Sequence, residues 1–361
     1  MSYRKWLTTT AVLMLFFTAL VVAVNFYVDH HAVRLSLFSS GQDIRQTIYP
    51  AGINQHIFNP EVIFRNPERY NSFLFGSSRT APIRVEKIPG DRFYNMSYSL
   101  GLPEQHLAIL RTFLEKGVKI KTVVIGLDDF CFSLPAVARE EHLIRMMHPD
   151  IGGPCRLELF DKYFFRRPDL KELGQWRDRV LYGKTKDGII INEWGVNLGW
   201  MEKERIIEAT GKPIFGFTIG KYQPVTYGPK EMNSAFAVIE ELITLSRERH
   251  FALIFFITPF SAQLYLNQAE ALGIVKERLA GLTDYYDFSG FNSVTTNALN
   301  YYEESHYRYR VGDRIIERIF GDGAARLPDD FGVLVTRQNV GGHLEQQKHE
   351  LEAYVKAHHL R

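Results

Sequence analysis

Two short segments carry the residue types that acyl-transfer chemistry requires. Gly76-Ser77-Ser78-Arg79-Thr80 places two hydroxyls directly after an apolar run, Phe73-Leu74-Phe75. The glycine permits a tight turn, and a helix following that turn would aim its N-terminal N–H groups at a developing negative charge. Serines at such a turn also serve as plain helix caps. Far along the chain, Glu303-Glu304-Ser305-His306-Tyr307 sets a carboxylate three residues before a histidine. One turn can then present both groups, with His306 as general base to a serine and Glu303 as its orienter and charge partner. A solvated acidic loop has the same spacing, so it is the combination of the two segments that points to nucleophilic catalysis.

Other residues of reactive type carry weaker signals. His142 and His148 lie with Arg145 and Asp150, but no third ligand stands at metal-site spacing, so no metal is expected and the stretch reads as a solvated helix face. No cofactor is expected either. Arg79 would hold an anionic substrate or pair with Asp128 or Asp129. Trp176, Trp194, Trp200 and Tyr222 suit a sugar-stacking platform or ordinary core packing. Cys131 and Cys155 are too few and too far apart for a zinc ribbon or a CxxC redox motif, although outside the cytoplasm they could form one disulfide.

The elements that would position these groups read as strands alternating with amphipathic helices. Lys121 to Gly126 and Ala252 to Ile257 are buried-strand runs, and Tyr285 to Phe288 is a last short strand. Helices are expected from Pro103 to about Gly117, over 232–248, over 261–279, and over about 344–357 in the tail. Alternation of this kind predicts an α/β fold, a parallel sheet covered by helices in three α/β/α layers. Reactive groups in such sheets collect in the loops at the carboxyl ends of the strands. Both segments singled out above are loops of that kind. Residues about 131–230 lack the βα rhythm and read as an insertion.

Residues 6–28 contain no charge, which matches the roughly 20 residues needed to cross hydrocarbon. With Arg4 and Lys5 before the run and Asp29, His30 and His31 after it, the positive-inside bias predicts a cytoplasmic N-terminus and an exported main domain. A signal peptide cut near Val21-Val22-Ala23 is the competing reading. The expected organisation is thus residues 1–5 cytoplasmic, 6–28 a transmembrane anchor and 29–70 a tether and lead-in. Residues 71–328 then form the α/β domain with its insertion, and 329–361 a tail. Forty-three Lys and Arg against 41 Asp and Glu give a net charge of +2, which excludes the basic excess of a nucleic-acid binder.

With its Gly-Ser-Ser after the first strand and its carboxylate-x-x-His near the end, the chain resembles the SGNH (GDSL-like) hydrolase superfamily over roughly residues 71–320. The likeness is greatest to the membrane-anchored, exported branch that includes alginate O-acetyltransferase-like proteins and the D-alanine transfer protein of teichoic acid synthesis. The resemblance implies a flavodoxin-like sheet, Ser78 as nucleophile, His306 as base and Glu303 in the acidic place, which that family usually fills with Asp. It implies an exocytoplasmic serine esterase or O-acyltransferase acting on envelope polysaccharide, with a membrane-bound acyl-donor protein as a possible partner. The family's oxyanion pattern Gly-x-Asn-Asp falls on Gly126-Leu127-Asp128-Asp129, so Asp128 replaces the asparagine. A carboxylate donates a hydrogen bond only when protonated. Either Asp128 lies outside the hole, or it is protonated, or the activity is altered. The last case would leave a silent glycan-binding or scaffold protein. Asn95, Ser97 and Gly101, in the family's second block, are the other candidate donors.

Overall fold

Apolar runs of three to six residues become the strands of a sheet that is covered on both sides, as the computed structural model shows. It describes residues 2–38, 47–49, 52–134, 142–182, 189–217, 220–323 and 327–360. The chain begins with α1 (Tyr3–Val28), the single turn α2 (Arg34–Leu37), β1 (Thr47–Tyr49) and α3 (Gln55–Arg65). Next come β2 (Ser72–Phe75), β3 (Phe93–Asn95), α4 (Pro103–Glu115), β4 (Thr122–Leu127), α5 (Arg156–Phe164), α6 (Leu170–Tyr182), β5 (Ile189–Ile191) and α7 (Met201–Thr210). After these follow α8 (Pro229–Arg249), β6 (Ala252–Ile257), α9 (Ala262–Tyr265), α10 (Ala269–Leu282), β7 (Tyr285–Asp287), α11 (Tyr309–Phe320), β8 (Val333–Val335) and α12 (Val340–Ala357).

Two compact units divide these elements. One joins residues 1–65 to 139–191, and the other joins 66–138 to 192–361. The larger unit holds a six-stranded sheet of order β3-β2-β4-β6-β7-β8 flanked by helices. The first five strands run parallel, and β8 pairs antiparallel with β7. The sheet is therefore mixed rather than wholly parallel, because the tail from 329 contributes its own edge strand.

Alternation along the strands sorts side chains to the two faces. Leu74, Val124 and Phe256 point to one side, into a cluster closed by Val311, Ile315 and Ile316 of α11. Phe73 and Phe75 point to the other, where they meet Phe113 and His106 of α4 at ring-centroid distances of 5.1 and 5.2 Å. Burial on both faces is why β2 and β4 read as continuous apolar runs. The helix expected over 261–279 is broken into α9 and α10, and no α-helix follows Ser78. Instead residues 77–83 form successive turns, Thr80 N–H donating to Ser77 O and Ile83 N–H to Thr80 O.

The smaller unit is built around the far end of α1. Asn25 donates its side-chain amide to the carbonyls of Phe164 (2.9 Å) and Arg166 (2.7 Å). Val22 and Phe26 pack on a buried cluster of Val33, Ile57, Leu159, Tyr163 and Phe164. β1 and β5 pair antiparallel in this unit. Helix α1 is apolar and long enough to span a membrane.

Candidate active site

The sheet order reverses at β2, whose neighbours β3 and β4 lie on either side of it. A crevice opens at such a switch point, outside the carboxyl ends of the strands. Ser78 stands there, just past β2. Gly76 allows the sharp exit, since a Cβ built on it would lie 2.5 Å from Thr80 Cγ2. Ser77 is buried and its hydroxyl accepts the Arg79 N–H at 3.1 Å, so it closes the turn, whereas Ser78 is partly exposed.

His306 arrives on a small hairpin. Tyr302 N–H donates to His306 O, Arg308 N–H donates to Asn300 O, and Tyr301 pairs with Tyr307 across the loop. The Tyr301 hydroxyl donates to Pro259 O at 2.6 Å, which ties the hairpin to the loop after β6. At its tip the imidazole Nε2 lies 2.8 Å from Ser78 Oγ, and Nδ1 bonds Glu303 Oε1. The Glu303 carboxylate is held in turn by the N–H and hydroxyl of Ser305. Burial pushes Glu303 up, but its bonds to His306 and Ser305 overcome this and hold it down at about 2. It is therefore ionised beside the imidazole. The tautomer follows: Nδ1–H donates to Glu303 and Nε2 accepts from Ser78.

The other expected residues sit in the scaffold of the site. Asn95, at the end of β3, donates both amide hydrogens, to Thr80 O (2.9 Å) and Ile83 O (3.1 Å), and accepts the Ser97 N–H. Its side chain braces the nucleophile turn and has no donor left for an oxyanion. Asp128 is fully buried, accepting from Thr258 Oγ1 and, at 3.1 Å, from Arg79. Arg79 also donates to Asp129 at 2.6 Å and lies over the rings of Phe130 and Phe260. Burial works against its charge, but the two carboxylates more than offset this and raise its pKa. Asp128 is thus an anchor for Arg79, and Arg79 is an internal ion-pair partner. Gly101 packs against the Gly76 carbonyl so closely that a Cβ on it would lie 2.5 Å from that oxygen. The backbone N–H groups of Ser78 and Gly101 make no hydrogen bond with the described residues.

Sequence reasoning missed what holds the base. Trp200, at the start of α7, tilts over the His306 ring at 5.2 Å and stacks on Tyr302 at 5.7 Å. The Tyr302 hydroxyl bonds Glu204, and Glu204 is locked by Arg308 at 2.6 and 3.0 Å. The tryptophan was legible as an aromatic, but nothing in its spacing tied it to a histidine 106 residues later. Of the other candidate platform aromatics, Trp194 packs on the core and Tyr70, and Tyr222 bonds Glu270; Trp176 belongs to the smaller unit.

His148 is buried against Glu61 at 3.0 Å rather than solvated. Among the described residues no cluster of metal-ligating side chains occurs, and Cys131 and Cys155 are both free thiols. No family model and no curated protein sequence matches this chain.

Proposed function

We propose that the protein is a membrane-anchored serine esterase or O-acyltransferase of SGNH type that acts on envelope or exported polysaccharide. The observation that carries this reading is the continuous hydrogen-bonded chain Ser78–His306–Glu303 at the carboxyl end of the sheet. The strand order supports it. Numbered along the chain, the parallel strands stand 2-1-3-4-5, the order of flavodoxin-like sheets. The charge bias around α1 supports an exported domain, and an exported, anchored site would meet secreted polymers and membrane-bound acyl donors.

In the reaction Ser78 Oγ attacks the acyl carbonyl while its proton passes to His306 Nε2. Ionised Glu303 stabilises the imidazolium. Negative charge on the tetrahedral oxygen is met by the backbone N–H groups of Ser78 and Gly101, and Arg79 neutralises the Asp128 carboxylate beneath the site. The leaving alcohol takes the proton back from His306. A hydroxyl of water or of a sugar, deprotonated by His306, then attacks the acyl-serine, and the imidazolium returns that proton to Ser78 Oγ as its bond to the acyl carbon breaks.

The test is covalent labelling of the full-length protein with a fluorophosphonate, read by mass spectrometry. The expected adduct is on Ser78, retained in Ser77→Ala and lost in Ser78→Ala and His306→Ala. Folded protein that takes no adduct would overturn the enzymatic reading and favour a glycan-binding scaffold.

A further inference from the structure

The smaller unit leaves an apolar stripe exposed where polar side chains would be expected. On α6, Leu170, Val180 and Leu181 fall on one side of the helix with half-buried Leu173 beside them, and Leu170 is 84% and Leu181 64% exposed. On α5, Leu157 is 81% exposed, and Phe165 just beyond the helix is half exposed. Exposed apolar stripes on a soluble surface mark something that covers them.

The length of α1 says what the cover is. Its 26 residues make a rod of about 39 Å. Residues 22–28 are packed into the smaller unit through Val22, Asn25 and Phe26, which takes up about 10 Å. The remaining rod, about 28 Å, falls just short of a hydrocarbon layer of about 30 Å. No free spacer therefore separates this unit from the lipid. α6 starts beside the exit of α1: Asn25 bonds the Arg166 carbonyl, and Glu172 in the first turn of α6 pairs with Arg166 and faces His30 and His31 at 3.9 and 4.0 Å. Residues 156–182 carry seven Lys or Arg against five Asp or Glu, a small positive balance suited to anionic headgroups.

We infer that the outward apolar face of α5 and α6 lies in the lipid interface around the point where α1 leaves the bilayer. The anchor is then one spanning helix with a two-helix collar, continuous with the span itself. The proposal rests on α1 as a membrane span, and the test separates the two.

Full-length protein carrying Cys155→Ser, with buried Cys131 left in place, is reconstituted in phosphatidylethanolamine and phosphatidylglycerol liposomes. Nitroxides are attached singly at Leu170→Cys, Leu181→Cys, Leu13→Cys in α1, and Glu248→Cys as a water-exposed reference. Power saturation with oxygen and with a water-soluble nickel chelate reads depth. The expected result is an oxygen-to-nickel ratio at 170 and 181 several-fold above that at 248, and highest at 13. A water-like ratio at 170 and 181 with a lipid-like one at 13 overturns the collar alone. A water-like ratio at 13 overturns the span and the collar together. Low accessibility to both reagents at 170 and 181 would mean protein covers the stripe, which also overturns the proposal.

Discussion

The Glu303 side chain is long, and the hairpin steadies it by seating its carboxylate on the Ser305 N–H and hydroxyl. That seat, with His306, is what depresses its pKa to about 2. A depressed carboxylate contributes stability that is present above its unfolded value, near 4.5, and is lost as pH falls towards 2. Carboxyl-detected NMR titration should therefore find Glu303 still ionised at pH 4, and a midpoint in the ordinary glutamate range would contradict the geometry. Glu303→Gln should lower ester turnover by about 10²- to 10⁴-fold, since the imidazole loses its orienter and its tautomer. Ser78→Ala should lose about 10³-fold or more. Ser77→Ala should keep labelling and cost about 1 kcal/mol in denaturant unfolding, the worth of the one bond it makes to Arg79.

At the scale of elements, two loops held by different anchors have to meet within hydrogen-bonding distance. The Asn95 amide fixes the Ser78 turn, and the Tyr301–Tyr307 hairpin with Trp200 fixes the base. Trp200→Ala would free one face of the imidazole. The expected outcome is a fall in kcat of up to about 10²-fold, because the imidazole loses the ring that holds it in line with Ser78. Gly101→Ala should shift the Gly76 peptide, since its Cβ would meet that carbonyl at 2.5 Å. Fluorophosphonate labelling should then slow even with His306 intact.

Sequence alone revealed β2, β4, β6 and β7, the Gly-Ser-Ser turn and the Glu-x-x-His pair. Each is either a run of apolar residues or a local spacing of chemically rare types. It did not reveal β3 or β8, the three-residue strands at the two edges of the sheet. The pairing of Arg79 with Asp128 or Asp129 was one of two readings open to it, but it did not reveal that Thr258 bonds Asp128, or that Trp200 covers His306. These are contacts between residues far apart in the chain, and no local pattern encodes them.

At the scale of the molecule, the larger unit is fastened at its end by a buried charged network that the sequence did not announce. Lys276 and Asp287 are both fully buried and 2.8 Å apart, and Asp287 also faces His343 of α12 at 2.8 Å. Burial alone would raise the Asp287 pKa, but Lys276 and His343 hold it below the usual carboxylate range. Asp287→Ala strands Lys276 and should destabilise by about 3–5 kcal/mol, whereas Lys276→Met with Asp287→Leu should be far milder. Urea unfolding of the three proteins checks both.

In a bilayer α1 must be helical, because hydrocarbon offers its backbone no other hydrogen-bond partner. The costly first turn of helix formation is then already made when the rest of the smaller unit is still a chain. Asn25 and Phe26 stand ready as a template on which residues 156–166 can order, although some 130 residues separate them in sequence. A bilayer around α1 would thus act as a folding nucleus for this unit. Refolding into lipid should be faster than refolding in detergent-free water, by the nucleation step that the bilayer has already taken.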